Sequence, residues 1–153
     1  MNWPGRIPAG KVDGLAHVVD MLPTLAKLAG APLDKAKPLD GLDIWPHVTG
    51  QAPSPRTEIV YNVEPFRAAV RQGDWKLLIA ALLPARVELY DLAKDIGETT
   101  NLAAAKPDVV ARLQARIDAL AQEAVQPLLL TEMLRATFGA PPSTPEFTFV
   151  NDD

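Results

Sequence analysis

Residues 88–103 read ELYDLAKDIGETTNLA, and the fold turns on this stretch because its character changes halfway. From Val87 to Leu92 the chain is rich in strand-forming side chains, so a strand is expected there. The half that follows holds Asp95, Gly97, Glu98 and Asn101, residues whose short polar side chains or free backbone favour turns. Asp91, Asp95 and Glu98 bring three carboxylates into one turn region, which invites a calcium site. Their spacing does not fit an EF-hand loop, and they are read with Asn101 as caps and braces of a surface turn.

Working upstream, Arg67 to Arg71 and Trp75 to Ala80 are expected to form two strands, joined through Gln72-Gly73-Asp74, whose glycine suits a tight hairpin. Lys76 and Arg71 are expected to face solvent. Before them Glu58 to Val63 alternates, with Ile59, Tyr61 and Val63 on one face. Downstream, Pro107 opens a helix with Asp108 in its first turn. Val110, Leu113, Ile117, Leu120 and Ala124 recur at steps of three and four, so one stripe is buried while Arg112, Gln114, Asp118 and Gln122 stay wet, and the sheet is its expected bed.

Toward the N-terminus, Trp3-Pro4-Gly5 and Ile7-Pro8-Ala9-Gly10 are turn signals in extended chain. From Leu15 onward Leu15, Val18, Val19, Leu22, Leu25, Ala26 and Ala29 fall at helical spacing, with Asp20 as the expected N-cap, Pro23 in the first turn and Gly30 ending the helix. Residues 31–55 read as a long surface connection around Leu42-Asp43-Ile44-Trp45. At the other end, Leu128 to Phe138 is expected as a short helix. Glu146 to Val150 is expected to pair with a sheet edge or to lie disordered.

The chain has 153 residues, 48% of them hydrophobic, enough for one compact domain. A net charge of -4 with 22% charged residues provides no basic stripe, so nucleic acid is not an expected partner. Without cysteine there is neither a disulfide framework nor a Cys-ligated zinc site. No apolar run approaches the ~18 to 20 residues of a membrane span, and MNWPGRIPAGK lacks the pattern of a secretory signal. A soluble chain is expected, with its compartment unread.

Five separated segments resemble, in order, the sulfatase family of hydrolases: WPGRIPAG (3–10), HVVDMLPTLAKLAG (17–30), LDGLDIWPHVTG (39–50), RAAVRQGDWKLL (67–78) and the opening stretch (88–103). One departure is Ile96, where that family commonly has Pro, and a slightly looser turn is expected from it. The resemblance implies an α+β arrangement: a small antiparallel sheet of about four strands packed by a C-terminal helix, preceded by a helix of an alkaline-phosphatase-like α/β domain. On that basis residues 1–55 are the tail end of the α/β domain, 56–126 the sheet plus helix, and 127–153 a divergent tail. It further implies sulfate ester hydrolysis by a formylglycine made from Cys or Ser in a Cys-or-Ser, any, Pro, any, Arg motif, usually with calcium. Both belong to the complete family member, upstream of Met1. The only similar string here is Ser143-Thr144-Pro145-Glu146-Phe147, which has Phe in place of Arg and is rejected.

No catalytic residue and no metal ligand is therefore assigned. His17 is read as packed or partly exposed, whereas His47, in the long connection beside Trp45, is a candidate to touch a substrate. Neither has the partner that nucleophilic catalysis requires. In this family the small domain flanks the cleft, so Glu64 and Arg67 in the link Asn62 to Arg67 are candidates for selecting substrate, the plainer reading being a surface ion pair. Two functions remain open: the C-terminal portion of an arylsulfatase-like enzyme, inactive alone, or a non-catalytic interaction or oligomerisation module derived from it. The first predicts an exposed apolar face, covered by the missing N-terminal domain or by self-association, with a sulfate ester as substrate only in the intact enzyme.

Overall fold

Gly73 adopts φ +57°, a left-handed conformation that lets β2 (Arg67–Gln72) turn directly into β3 (Trp75–Ala80), with Gln72 opposite Trp75. β1 (Glu58–Glu64) and β4 (Arg86–Asp91) complete a four-stranded antiparallel meander in the order β1-β2-β3-β4. The computed structural model describes residues 1–33, 38–64, 66–81 and 84–123. Residues 1–121 make one compact unit. The expectations for residues 124–153 lie outside the described residues.

One face of the sheet is covered by α3 (Pro107–Glu123). Ala68, Val70, Leu77 and Leu89 meet Leu113 and Ile117 there, and Val70, Leu77, Leu89 and Leu113 are completely buried. At about 1.5 to 3 kcal/mol per buried aliphatic side chain, this small cluster is the main source of stability for the sheet and helix. A polar clamp reinforces it: Arg116 grips the Glu58 carboxylate through Nε and Nη2 at 3.0 Å. Burial alone would raise the Glu58 carboxyl, but the hydrogen bonds from Arg116 and Gln72 outweigh it and hold the group below its usual range.

The turn after β4 explains the TNL part of the opening stretch. Asn101 accepts the Leu89 N–H at 3.0 Å and donates to the Val87 carbonyl at 3.0 Å, while the Leu102 N–H reaches the Leu89 carbonyl at 2.8 Å. The free edge of β4 is thereby satisfied by its own turn, which removes a template for edge-to-edge pairing.

Two expectations for the sheet are corrected. Val60 pairs with Val70 and Asn62 with Ala69, so Tyr61 is an extra residue in a β-bulge and the alternation of Ile59, Tyr61 and Val63 is broken. Val60 and Val63 lie opposite Val70 and Ala68 on the α3 side, and Ile59 lies opposite Arg71 on the other. Lys76 does not extend into solvent either: its side chain is only 15% exposed, paired with Glu98 at 2.5 Å and set 5.0 Å over the Tyr61 ring.

The N-terminal region also starts differently. His17 caps a 3-10 turn, Val18–Asp20, and α1 runs from Met21 to Leu28. Asp20 stands at the N-cap position of α1 with Pro23 in the first turn, as expected, but its side chain makes no cap hydrogen bond, because the carboxylate is completely buried and engaged elsewhere. It accepts the backbone N–H groups of Leu42 and His17, both at 2.8 Å, and a two-pronged pair from Arg56 Nε and Nη2. Thr24 completes the knot, donating to the Asp20 carbonyl at 2.6 Å and accepting the Ile44 N–H at 3.0 Å. The connection is accordingly more than surface chain. It contains a helical turn, α2 (Trp45–Val48), and buries Ile44 and His47.

Gly41 stands where this loop crosses the helix start, and a Cβ there would lie 2.1 Å from the Val19 carbonyl oxygen. Because the obstacle is backbone, Gly41→Ala is expected to destabilise by about 1 to 3 kcal/mol or more. Gly10→Ala, with open space around it, should stay within ~0.5 kcal/mol. Equal thermal midpoints for the two variants would contradict this account.

Along the 3-10 turn and α1 the expected stripe faces outward. Val18, Leu22 and Leu25 are 76%, 57% and 51% exposed, although Leu15 before them is buried.

Candidate functional site

α2 brings His47 into the interior rather than onto an open loop. The ring is 4% exposed, its Nδ1 lies 3.3 Å from the Ala52 carbonyl oxygen, and it packs so closely on Gly14 that a Cβ there would sit 2.7 Å from Cε1. The ring also borders a surface cavity of about 610 Å³ walled by Trp3, Ile7 and Val12. Ser54 approaches the same glycine, but its hydroxyl donates to the Leu15 carbonyl and accepts the Arg56 N–H. Ser54 and His47 therefore form no pair poised for nucleophilic attack.

Glu64 and Arg67 lie directly opposite each other where β1 meets β2. Their charges are 4.0 Å apart and both side chains are more than half exposed, so as an ion pair they contribute little. The register places other groups with them. Arg67 pairs with Ala80 and Ala80 with Arg86, which puts both arginines on the sheet face away from α3, with an alanine between them. A cavity of about 250 Å³ opens there over Ala69, Leu78 and Ala80, rimmed by Asn62, Arg67, Arg86 and Glu88. His47 lines none of it. Arg86 escaped sequence reasoning because only the pairing of three strands reveals its neighbour.

The carboxylates of the last turn are engaged one by one. Asp91 binds Lys94 at 2.8 Å, and that hydrogen bond holds its carboxyl below the usual range. Asp95 accepts the N–H groups of Thr99 and Thr100 at 2.8 Å, which lowers it likewise, and Glu98 holds Lys76. Among the described residues no group of three acidic or His side chains converges as metal ligands. Ile96, at the departure from the family-like turn, is 79% exposed.

No family model matches the chain. Arylsulfatase A of Homo sapiens is 36% identical over 141 residues, covering 73% of this chain and 28% of the relative. Arylsulfatase A of Bos taurus is 34% identical over 163 residues, covering 90% and 30%. Choline-sulfatase of Rhizobium meliloti (strain 1021) is 39% identical over 104 residues, covering 65% and 20%. Among solved structures, Ps i-CgsB superposes with a TM-score of 0.70 at 22% identity over 91% of this chain and 32% of its own, a likeness of fold. A Bacteroides thetaiotaomicron structure, from a core genetic locus for metabolism of multiple glycosaminoglycans, gives 0.64 at 25% identity over 78% and 28%. The chain spans about three-tenths of the length of both arylsulfatase A relatives. Identity of 34 to 36% across most of this chain, together with the shared fold, shows that it belongs to the sulfatase family and matches part of the length of its longer members.

Proposed function

We propose that this chain is the C-terminal portion of an arylsulfatase-like sulfuric ester hydrolase, serving as scaffold and flank of the substrate cleft and inactive alone. The observation that carries this reading is the outward stripe along the 3-10 turn and α1. α3 buries its apolar positions, while Val18, Leu22 and Leu25 present theirs to water at helical spacing. Such a face calls for a cover, and the remainder of the enzyme is the cover that family membership supplies. Among the described residues calcium finds no fitting ligand set, since the turn carboxylates are individually engaged, and for formylglycine the sequence has no cysteine and neither Ser54 nor Ser143 heads the required motif. No step of ester cleavage is assigned to this chain.

The complete burial of Val70, Leu77, Leu89 and Leu113 supports a second reading, an independent interaction or oligomerisation module. Hydrolysis of a generic aryl sulfate with added calcium separates the two, assayed on this chain and on a version extended upstream through the nucleophile motif. Activity is expected only in the extended version. Leu22→Asp combined with Leu25→Asp should reduce it by about tenfold or more, since two charges would be forced into an apolar contact. Turnover by the 153 residues alone would overturn the proposal, and an extended version indifferent to the double substitution would favour the module.

A further inference from the structure

We propose that the pocket between Arg67 and Arg86, on the sheet face opposite α3, binds the anionic ring of an acidic sugar. The strand register carries the argument. Two strand spacings separate the arginines, about 10 Å between α-carbons, and the side chain between them is only Ala80. Two long cationic side chains can therefore converge on one sulfate or carboxylate from either side.

Both guanidiniums have donors to offer. Arg67 stands 4.0 Å from Glu64 and Arg86 3.6 Å from Glu88, and both side chains are 68% exposed. Among the described residues neither closes to hydrogen-bonding distance, in contrast with Arg56 and Arg116, which are bound in two-pronged pairs. A fork of parallel N–H groups matches an oxyanion.

The remaining walls select a ring rather than a bare ion. Ala69, Leu78 and Ala80 form an apolar floor, and at about 250 Å³ the cavity is smaller than drug-sized sites, which start near ~300 Å³. At the rim Asn62 donates one N–H to the Arg67 carbonyl at 3.4 Å and keeps a second, and Glu88 accepts the Tyr90 hydroxyl at 3.3 Å with lone pairs to spare, so the two suit hydroxyl groups as donor and acceptor. Glu88 also offsets part of the positive charge, so a simple anion gains less here than an anion carried on a hydroxylated ring. The choice of a sugar rests on the sulfatase reading, whereas the pocket geometry does not.

The test is an amide chemical-shift titration of this chain at low ionic strength with a monosulfated glucose, glucose and inorganic sulfate. Saturable shifts at Ala69, Ala80 and Glu88 are expected with the monosulfated sugar, tighter than with either of the other probes. Arg67→Gln and Arg86→Gln should each weaken binding about tenfold, the usual loss for one charged hydrogen-bond partner, and Arg112→Gln on α3 should leave it unchanged. Absence of saturation, equal binding of glucose or inorganic sulfate, or indifference to the two arginine substitutions would each overturn the assignment. Because binding is read on the chain alone, failure of the upstream extension to restore hydrolysis would leave this result standing.

Discussion

Replacing Arg56 by methionine is expected to lower the stability of the folded chain by about 3 to 5 kcal/mol, since it leaves a buried carboxylate without its counter-charge. Asp20 is completely buried and the Arg56 side chain is 13% exposed, so water cannot take over the missing role. Burial by itself pushes the Asp20 carboxyl up, but the hydrogen bond from Arg56 and those from the Leu42 and His17 N–H groups overcome it, bringing the group down to about 2 from 3.8. A depressed carboxyl stabilises the fold above its unfolded value. That contribution, on the order of 2 kcal/mol, is complete above about pH 4 and disappears as pH falls toward 2. Denaturant unfolding at neutral and acid pH provides the check. The deficit of the Arg56→Met protein should be large at neutrality and shrink near pH 2, where Asp20 becomes protonated. An Asp20→Asn, Arg56→Met double variant should recover part of the loss. A neutral-pH deficit under ~0.5 kcal/mol would mean that the knot around Asp20 does not hold this region together.

Asp20 also shows where sequence reasoning stops. As an acidic residue before Pro23 and an apolar run it satisfied the local grammar of an N-cap, and no local signal could reveal a partner 36 residues away. The strands, by contrast, were legible to within a residue at each end, because alternation and the Gly73 turn are local. Tyr61 was misread because a bulge breaks period two without any change of composition. Lys76 was assigned to solvent by residue type, yet Glu98 and Tyr61 hold it at the surface of the sheet. The segments that resemble the family acquire a physical meaning in the fold: Gly41 admits the crossing at Val19, Leu42 and Ile44 satisfy Asp20 and Thr24, and Asn101 closes the edge of β4. Glu64 and Arg67 were named as cleft candidates from their place in the link, and the pairing of β1 with β2 sets them side by side. Their neighbour Arg86 required the register of three strands, and the burial of His47 depends on a helical turn too short to leave a periodic trace.

Leu77→Ala should be the most damaging truncation in the sheet, at about 3 to 5 kcal/mol. Leu77 is fully buried on β3, an inner strand, so its lost contacts lie against β2, β4 and α3 together, and the cluster has few other buried residues that can close over the gap. In a unit of this size the thermal midpoint should fall on the order of 15 °C. Leu22→Ala removes the same atoms from α1, where the side chain is 57% exposed, and in this chain alone should change stability by no more than ~0.5 kcal/mol. In the upstream-extended protein the two positions should converge, because a cover over α1 would turn Leu22 into a core residue whose truncation costs about 2 kcal/mol or more. Thermal unfolding of both variants, with and without the extension, measures that convergence. If Leu22→Ala stays silent in the extended protein, the exposed stripe is not where the upstream extension rests.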